Sequence, residues 1–207
     1  MRPAGAWIGF VIGAAALILQ LSLTIPLRLA DGDTLPAALI FYLSSFTILA
    51  NLALVLIYAS ELWATPILGW FRAPVTHGMM AAALALVAIF SHVLLAETWE
   101  PEGLGLVCDG ALRYVTPALY ILWWIATARH GKLGWSDVWS MLLPPTIYLV
   151  YVMARGALTG DYPYPILEAD RLGYAAVALD ALAVLLGLAA LSTIVVGLDR
   201  LLGAPRP

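Results

Sequence analysis

Six apolar runs divide this chain, at about 7–27, 35–60, 74–97, 104–128, 138–157 and 173–202. A bilayer core is crossed by roughly 20 residues of helix, and each run reaches that length. The runs lack the alternation of a strand, and backbone in lipid must satisfy its own hydrogen bonds, so they predict helices rather than barrel strands. Connections consume nearly everything else. The expected fold is therefore all-α and integral to a membrane, a six-transmembrane-helix bundle forming one domain over 1–207. The first run exceeds the apolar core of a signal peptide, and no small-x-small cleavage site follows it, so it is read as a span.

Composition narrows the partners. Only 11% of the residues are charged, against about a quarter in soluble domains. The net charge is −3 and there is no basic run, which argues against nucleic acid as a partner. Cys108 is the single cysteine, so no intramolecular disulfide can form. Arg2, Arg72, Arg129, Lys132, Arg200 and Arg206 collect on one side of the six spans. By the positive-inside rule that side is cytoplasmic, as are both termini. The opposite side has only Arg28 and Arg171 in its loops, with Arg113 and Arg155 near or inside the membrane, and holds Asp31, Asp33, Glu97, Glu100, Glu102, Asp161, Glu168 and Asp170. No inverted halves are visible, which weakens a transporter reading.

Polar groups inside the runs carry the functional signal, because an ionisable side chain in lipid needs a partner or a wet cavity. In the second run, "YLSSFTILAN" places Ser44, Thr47 and Asn51 at i, i+3 and i+7, one stripe on a continuous helix. Such hydroxyls and amides also serve as glue between helices. His92 lies near the outer end of the third run. In the fourth, Arg113, Pro117, Tyr120 and Trp124 recur at helical spacing, with Asp109 one turn above Arg113. Pro144, Tyr148, Tyr151 and Arg155 do the same in the fifth, and Asp180 lies about two turns into the sixth. Thr47, His92, Arg113, Arg155 and Asp180 all fall in the outer half of the membrane, which predicts a polar pocket opening outward. A pair between Arg113 and Asp180 beside Thr47 is expected. The three histidines sit at different depths and make no metal cluster. The loop "LTGDYPYPILE" is expected to fold over the outer mouth, its two Tyr-Pro steps holding extended or turn backbone.

"FYLSSFTILANLALVL", "FSHVLLAETWEPEGLGLVCDGALRYVTPALYILWW" and "YLVYVMARGALTGDYPYPILEADRLGYAAVALDAL" resemble bacterial membrane proteins of the Pr6Pr family, relatives of the androgen-induced and androgen-dependent membrane proteins of animals. The resemblance runs from about 17 to 202, and "RGALTG" followed by "YPYP" is its most specific part. It implies six transmembrane helices, a bacterial plasma membrane and, from the animal members, hydrolysis of fatty acid esters of hydroxy fatty acids by an intramembrane threonine and histidine. Thr47 in "FTILAN" matches the nucleophile. Where the family places histidine before the fourth-helix proline, this chain reads "RYVTP" with Arg113, and Asp180 stands where relatives carry asparagine. A guanidinium is always protonated and so is no general base, although it can hold a carboxylate or an oxyanion.

Two readings follow. One is a lipid ester hydrolase with Thr47 as nucleophile, His92 or Asp180 as base, and Arg113, Arg155, Asn51 and Tyr151 binding a membrane lipid or fatty acyl substrate. The other is a non-catalytic protein in which Arg113 captures a fatty acid or similar amphiphile. Neither requires a cofactor or a metal.

Overall fold

Residues 2–95 and 102–203 are described by a computed structural model, and within them there is helix but no strand. α1 covers Arg2–Ala30, α2 Leu35–Leu43, α3 Phe46–Leu62 and α4 Pro74–Phe90. A π-turn at Ser91–Leu95 prolongs α4. The rest of the third run, to residue 97, lies outside the described residues. α5 (Leu104–Gly110), a π-turn (Ala111–Val115) and α6 (Thr116–Thr127) follow one another without a gap. α7 covers Asp137–Thr159, α8 Ala169–Leu172 and α9 Tyr174–Gly203. Among the described residues four helices are long and apolar enough to cross a membrane, or five if α2 and α3 count as one bent span.

α4 is the hub. It packs against α3, α6, α7 and α9, while α1 lies against α2, α3 and α6. Within its most apolar stretch 61% of the residues are buried, against 28%, 17% and 22% for α1, α7 and α9. The other three long helices turn Ile18, Ile147, Val150, Leu182 and Leu186 outward instead. Apolar surface on that scale is the surface of a membrane protein, because lipid rather than water has to meet it. Small residues let α4 take its place: a Cβ on Gly78 would stand 2.7 Å from Leu133 and 2.9 Å from Met141, the close approach that membrane helices use.

Both ends of the described chain lie at one end of the bundle. Gly5 of α1 faces Trp123 near the close of α6, and Gly203 meets Gly131 just beyond it. At the other end, Arg28 of α1 binds Asp33 at 2.6 Å and Asp161 at 3.7 Å, which ties the first connection to the one after α7. Arg28 also stacks over Phe41, 4.1 Å from the ring centre.

The fourth run is interrupted for a local reason. In the π-turn the N–H of Thr116 bonds Ala111 O. The next donor in line for Leu112 O belongs to residue 117, which is proline and has none. An unpaired carbonyl in lipid is costly. Asn51 of α3 fills the gap, its Nδ2 donating to Leu112 O at 2.9 Å, while its Oδ1 accepts from Thr116 Oγ1.

Candidate functional site

The second run is not one helix. It breaks at Ser44–Ser45, and α2 and α3 meet at 76°. Ser44 keeps a helical backbone (φ −83°, ψ −6°), and Ser45 is extended (φ −79°, ψ 126°). Nothing in "LSSF" forbids helix, so the break is held by its partners. Ser44 Oγ donates back to Ile40 O at 2.7 Å, a bond that bends helices, and lies 2.9 Å from the Tyr151 hydroxyl. Tyr148 donates to Ser44 O at 2.8 Å. Phe46 N–H donates to the Tyr164 hydroxyl at 3.1 Å. The expected stripe of Ser44, Thr47 and Asn51 is thus divided between a break and a helix. Ser44 serves the break, and Asn51 serves the π-turn.

Thr47 is left at the first turn of α3. Ser45, the cap residue, makes no side-chain cap. Leu49 N–H reaches Ser45 O, but among the described residues nothing accepts from the N–H groups of Thr47 and Ile48. The first turn of any helix carries such orphan donors, and they give it a partial positive charge. Thr47 lines a cavity of about 90 Å³ enclosed by α3, α4, α7, α9 and the loop after α7. Leu86, Phe90, Tyr148, Tyr164 and Val184 are among its walls. Apart from Thr47 and the two tyrosines, every lining residue is apolar.

The loop after α7 closes one side of this cavity. Tyr164, Ile166 and Leu167 line it, and Tyr164 meets Phe90 edge to face with ring centres 5.8 Å apart. Tyr162 packs onto Gly156, where a Cβ would collide with its ring. Gly160 ends α7 with φ 71°, in the left-handed region that glycine tolerates. Arg155 holds the loop, donating from Nη1 to Asp161 O at 2.8 Å and from Nη2 to the Asp161 carboxylate. Burial and the neighbouring Asp170 push the Tyr162 phenol above its ordinary pKa.

The other expected site residues are dispersed. Arg113 is paired with Asp109, Nε to Oδ1 at 2.7 Å, across one turn of its own helix rather than with Asp180. The expected Arg113–Asp180 pair is therefore replaced. Equal depth does not make two residues face each other, and a carboxylate four residues away on the same helix does. Asp180 is half-buried and forms no ion pair or hydrogen bond among the described residues. It directly precedes Ala181, a cavity-lining residue, without lining the cavity itself. His92 is exposed in its π-turn and likewise lies outside the cavity wall. Arg155 is committed to Asp161, and Tyr151, 43% exposed, to Ser44. Asn51 is fully buried with its amide bonded on both sides, a third bond running to Thr47 O at 2.8 Å. Only Thr47 of the expected set borders the cavity, and among the described residues no histidine or carboxylate does. Tyr148 and Tyr164 are the residues sequence reasoning left out. Tyr148 stood in the fifth-run stripe, and Tyr164 in the Tyr-Pro loop. Comparison with protein families, with curated proteins and with solved structures finds no match.

Proposed function

We propose that this chain is a plasma-membrane protein of six spans with both termini cytoplasmic, and that it binds a fatty acyl amphiphile at the α2–α3 break. The sixth span is the stretch 104–127, in which α5, the π-turn and α6 together make up the length that α6 alone lacks. One observation carries the binding reading: the uncapped start of α3 adjoins an apolar cavity. Half-helix N-termini within membranes take up anionic groups of substrates, since N–H donors and the dipole act together. A carboxylate or ester carbonyl at Thr47 would find the N–H groups of Thr47 and Ile48, with Thr47 Oγ1 beside them. The apolar wall suits the methylenes that follow.

Size limits what is enclosed. Pockets that swallow a whole small ligand measure roughly 300–1,000 Å³, and this one is about 90 Å³. It takes the head-proximal part of the chain, and the remainder lies in the bilayer. The experiment is photocrosslinking with a diazirine-bearing fatty acid in native membranes, followed by peptide mapping. Adducts are expected on the segments around Pro145–Leu149 and Val184–Leu188, and Val184→Trp, which fills the cavity, should remove them. Adducts spread evenly over lipid-facing positions, unchanged by Val184→Trp, would sink the proposal.

Hydrolysis is the second reading, favoured by one feature. The Thr47 hydroxyl makes no hydrogen bond among the described residues and lies beside two free amides that would serve an oxyanion. A threonine nucleophile needs a base, and among the described residues the cavity wall holds none, so binding is the better-supported function. A fluorophosphonate that labels the native protein but not Thr47→Ala would reverse that order.

A further inference from the structure

A second cavity lies at the opposite end of the bundle, where α3, α6 and α9 end and α4 begins. Its volume is about 510 Å³, within the range of pockets that enclose a small ligand. Three cationic side chains line it: Arg72, Arg129 and Lys132. None of the three is in a salt bridge with a described acid. Among the described residues Arg72 donates only to a neutral carbonyl, Thr65 O, at 2.7 Å.

Two acids share the wall, Glu61 and Asp199. Asp199 is 2% exposed and already satisfied. One oxygen accepts from the backbone N–H groups of Lys132 and Leu133, both at 2.9 Å, and the other faces His130 Nδ1 at 3.1 Å. Glu61 and Asp199 together set two negative charges against the three cations. Arg200, which might have crowded the site further, lies over Trp135 instead, 5.6 Å from the ring centre. The buried rings of Trp123 and Trp124 form part of the wall.

We infer that this cavity binds a phosphate group, either the headgroup of an anionic phospholipid or a small soluble phosphate ester. Like charges gathered in one partly enclosed space repel, and an anion relieves them all at once. With both acids ionised the three cations leave a net excess of one positive charge, and the three acceptor oxygens of a phosphate offer one to each cation where a carboxylate has two. Guanidinium and ammonium groups supply donors suited to its oxygens, and basic pockets between transmembrane helices are a recurrent form of headgroup site. The inference is independent of the cavity beside Thr47.

The test uses the purified full chain. In detergent, inorganic phosphate should raise the thermal unfolding midpoint above that in chloride of equal ionic strength. In native mass spectrometry, phosphatidic acid should be retained over phosphatidylcholine. The double variant Arg129→Gln/Lys132→Gln changes two exposed side chains and should weaken either interaction at least about tenfold, while Arg200→Gln should leave both unchanged. A phosphate response alone identifies a soluble ligand. Retention of phosphatidic acid alone identifies a lipid. If neither exceeds its control, or if the double variant binds as well as the native chain, the inference is wrong.

Discussion

Asn51→Leu tests whether one amide repairs the defect that Pro117 makes. The substitution keeps the branch at Cγ with somewhat more bulk and removes two bonds between helices, Nδ2 to Leu112 O at 2.9 Å and Thr116 Oγ1 to Oδ1. Hydrogen bonds between membrane helices average roughly 0.6 kcal/mol and reach about 1.7. A buried carbonyl left without a donor costs about 1–3 kcal/mol. Leu112 O keeps a weak second donor in Thr116 Oγ1 at 3.3 Å, so the full orphan penalty does not apply. A loss of about 2 kcal/mol is expected, read by reversible unfolding in a detergent–SDS titration. The mechanism makes a sharper claim in combination. Pro117→Ala restores an N–H at residue 117, so Asn51→Leu should cost about 1 kcal/mol less in that background. Strictly additive losses would refute the repair, and Asn51 would then be an ordinary contact between helices.

Three further outcomes follow from the geometry. Tyr58→Phe should be neutral or raise stability by up to about 1 kcal/mol, because the Tyr58 hydroxyl is buried without a partner; Gly9→Ala should lower stability by about 1–3 kcal/mol by driving a Cβ into that ring, and both are read in the same titration. Asp161→Asn should loosen the loop over the Thr47 cavity and cost about 1 kcal/mol, with the loss shrinking in high salt, since the carboxylate is about a third exposed and shared by Arg28 and Arg155. For orientation, Leu158→Cys should react with an impermeant maleimide from outside the cell and Ser136→Cys only after permeabilisation, the native Cys108 being fully buried; the reverse pattern would invert the proposed topology.

What could be read from sequence was what depends on local length and polarity. A run that must cross a bilayer announces itself, so α1, α7 and α9 occupy nearly the residues their runs predict. The break at Ser44–Ser45 gave no such signal. Its partners Tyr148, Tyr151 and Tyr164 are 104, 107 and 118 residues distant from the groups they bond, and "LSSF" has neither proline nor glycine. Periodicity also gave depth along a helix but not the direction a side chain faces across the bundle. Hence Arg113 and Asp180 were matched by depth, while Asp109, on the same helix, is the residue that reaches Arg113. Pro117 was read as part of a stripe, although its missing N–H shapes the π-turn and fixes what Asn51 does. Asp199 went unremarked at the end of a long apolar run, where it looked like the polar edge of a span rather than the acceptor for a loop.

That acceptor has a consequence for the order in which the protein is made. The loop at 130–133 leaves the ribosome long before residue 199, yet its backbone donors are satisfied by the Asp199 carboxylate and carbonyl. α4 is in the same position: a large part of its covered face meets α9, which is synthesised well after it. Until α9 inserts, the nascent chain holds its central helix against lipid and the 130–133 loop without its acceptor. A chain halted before residue 174 would remain in that state.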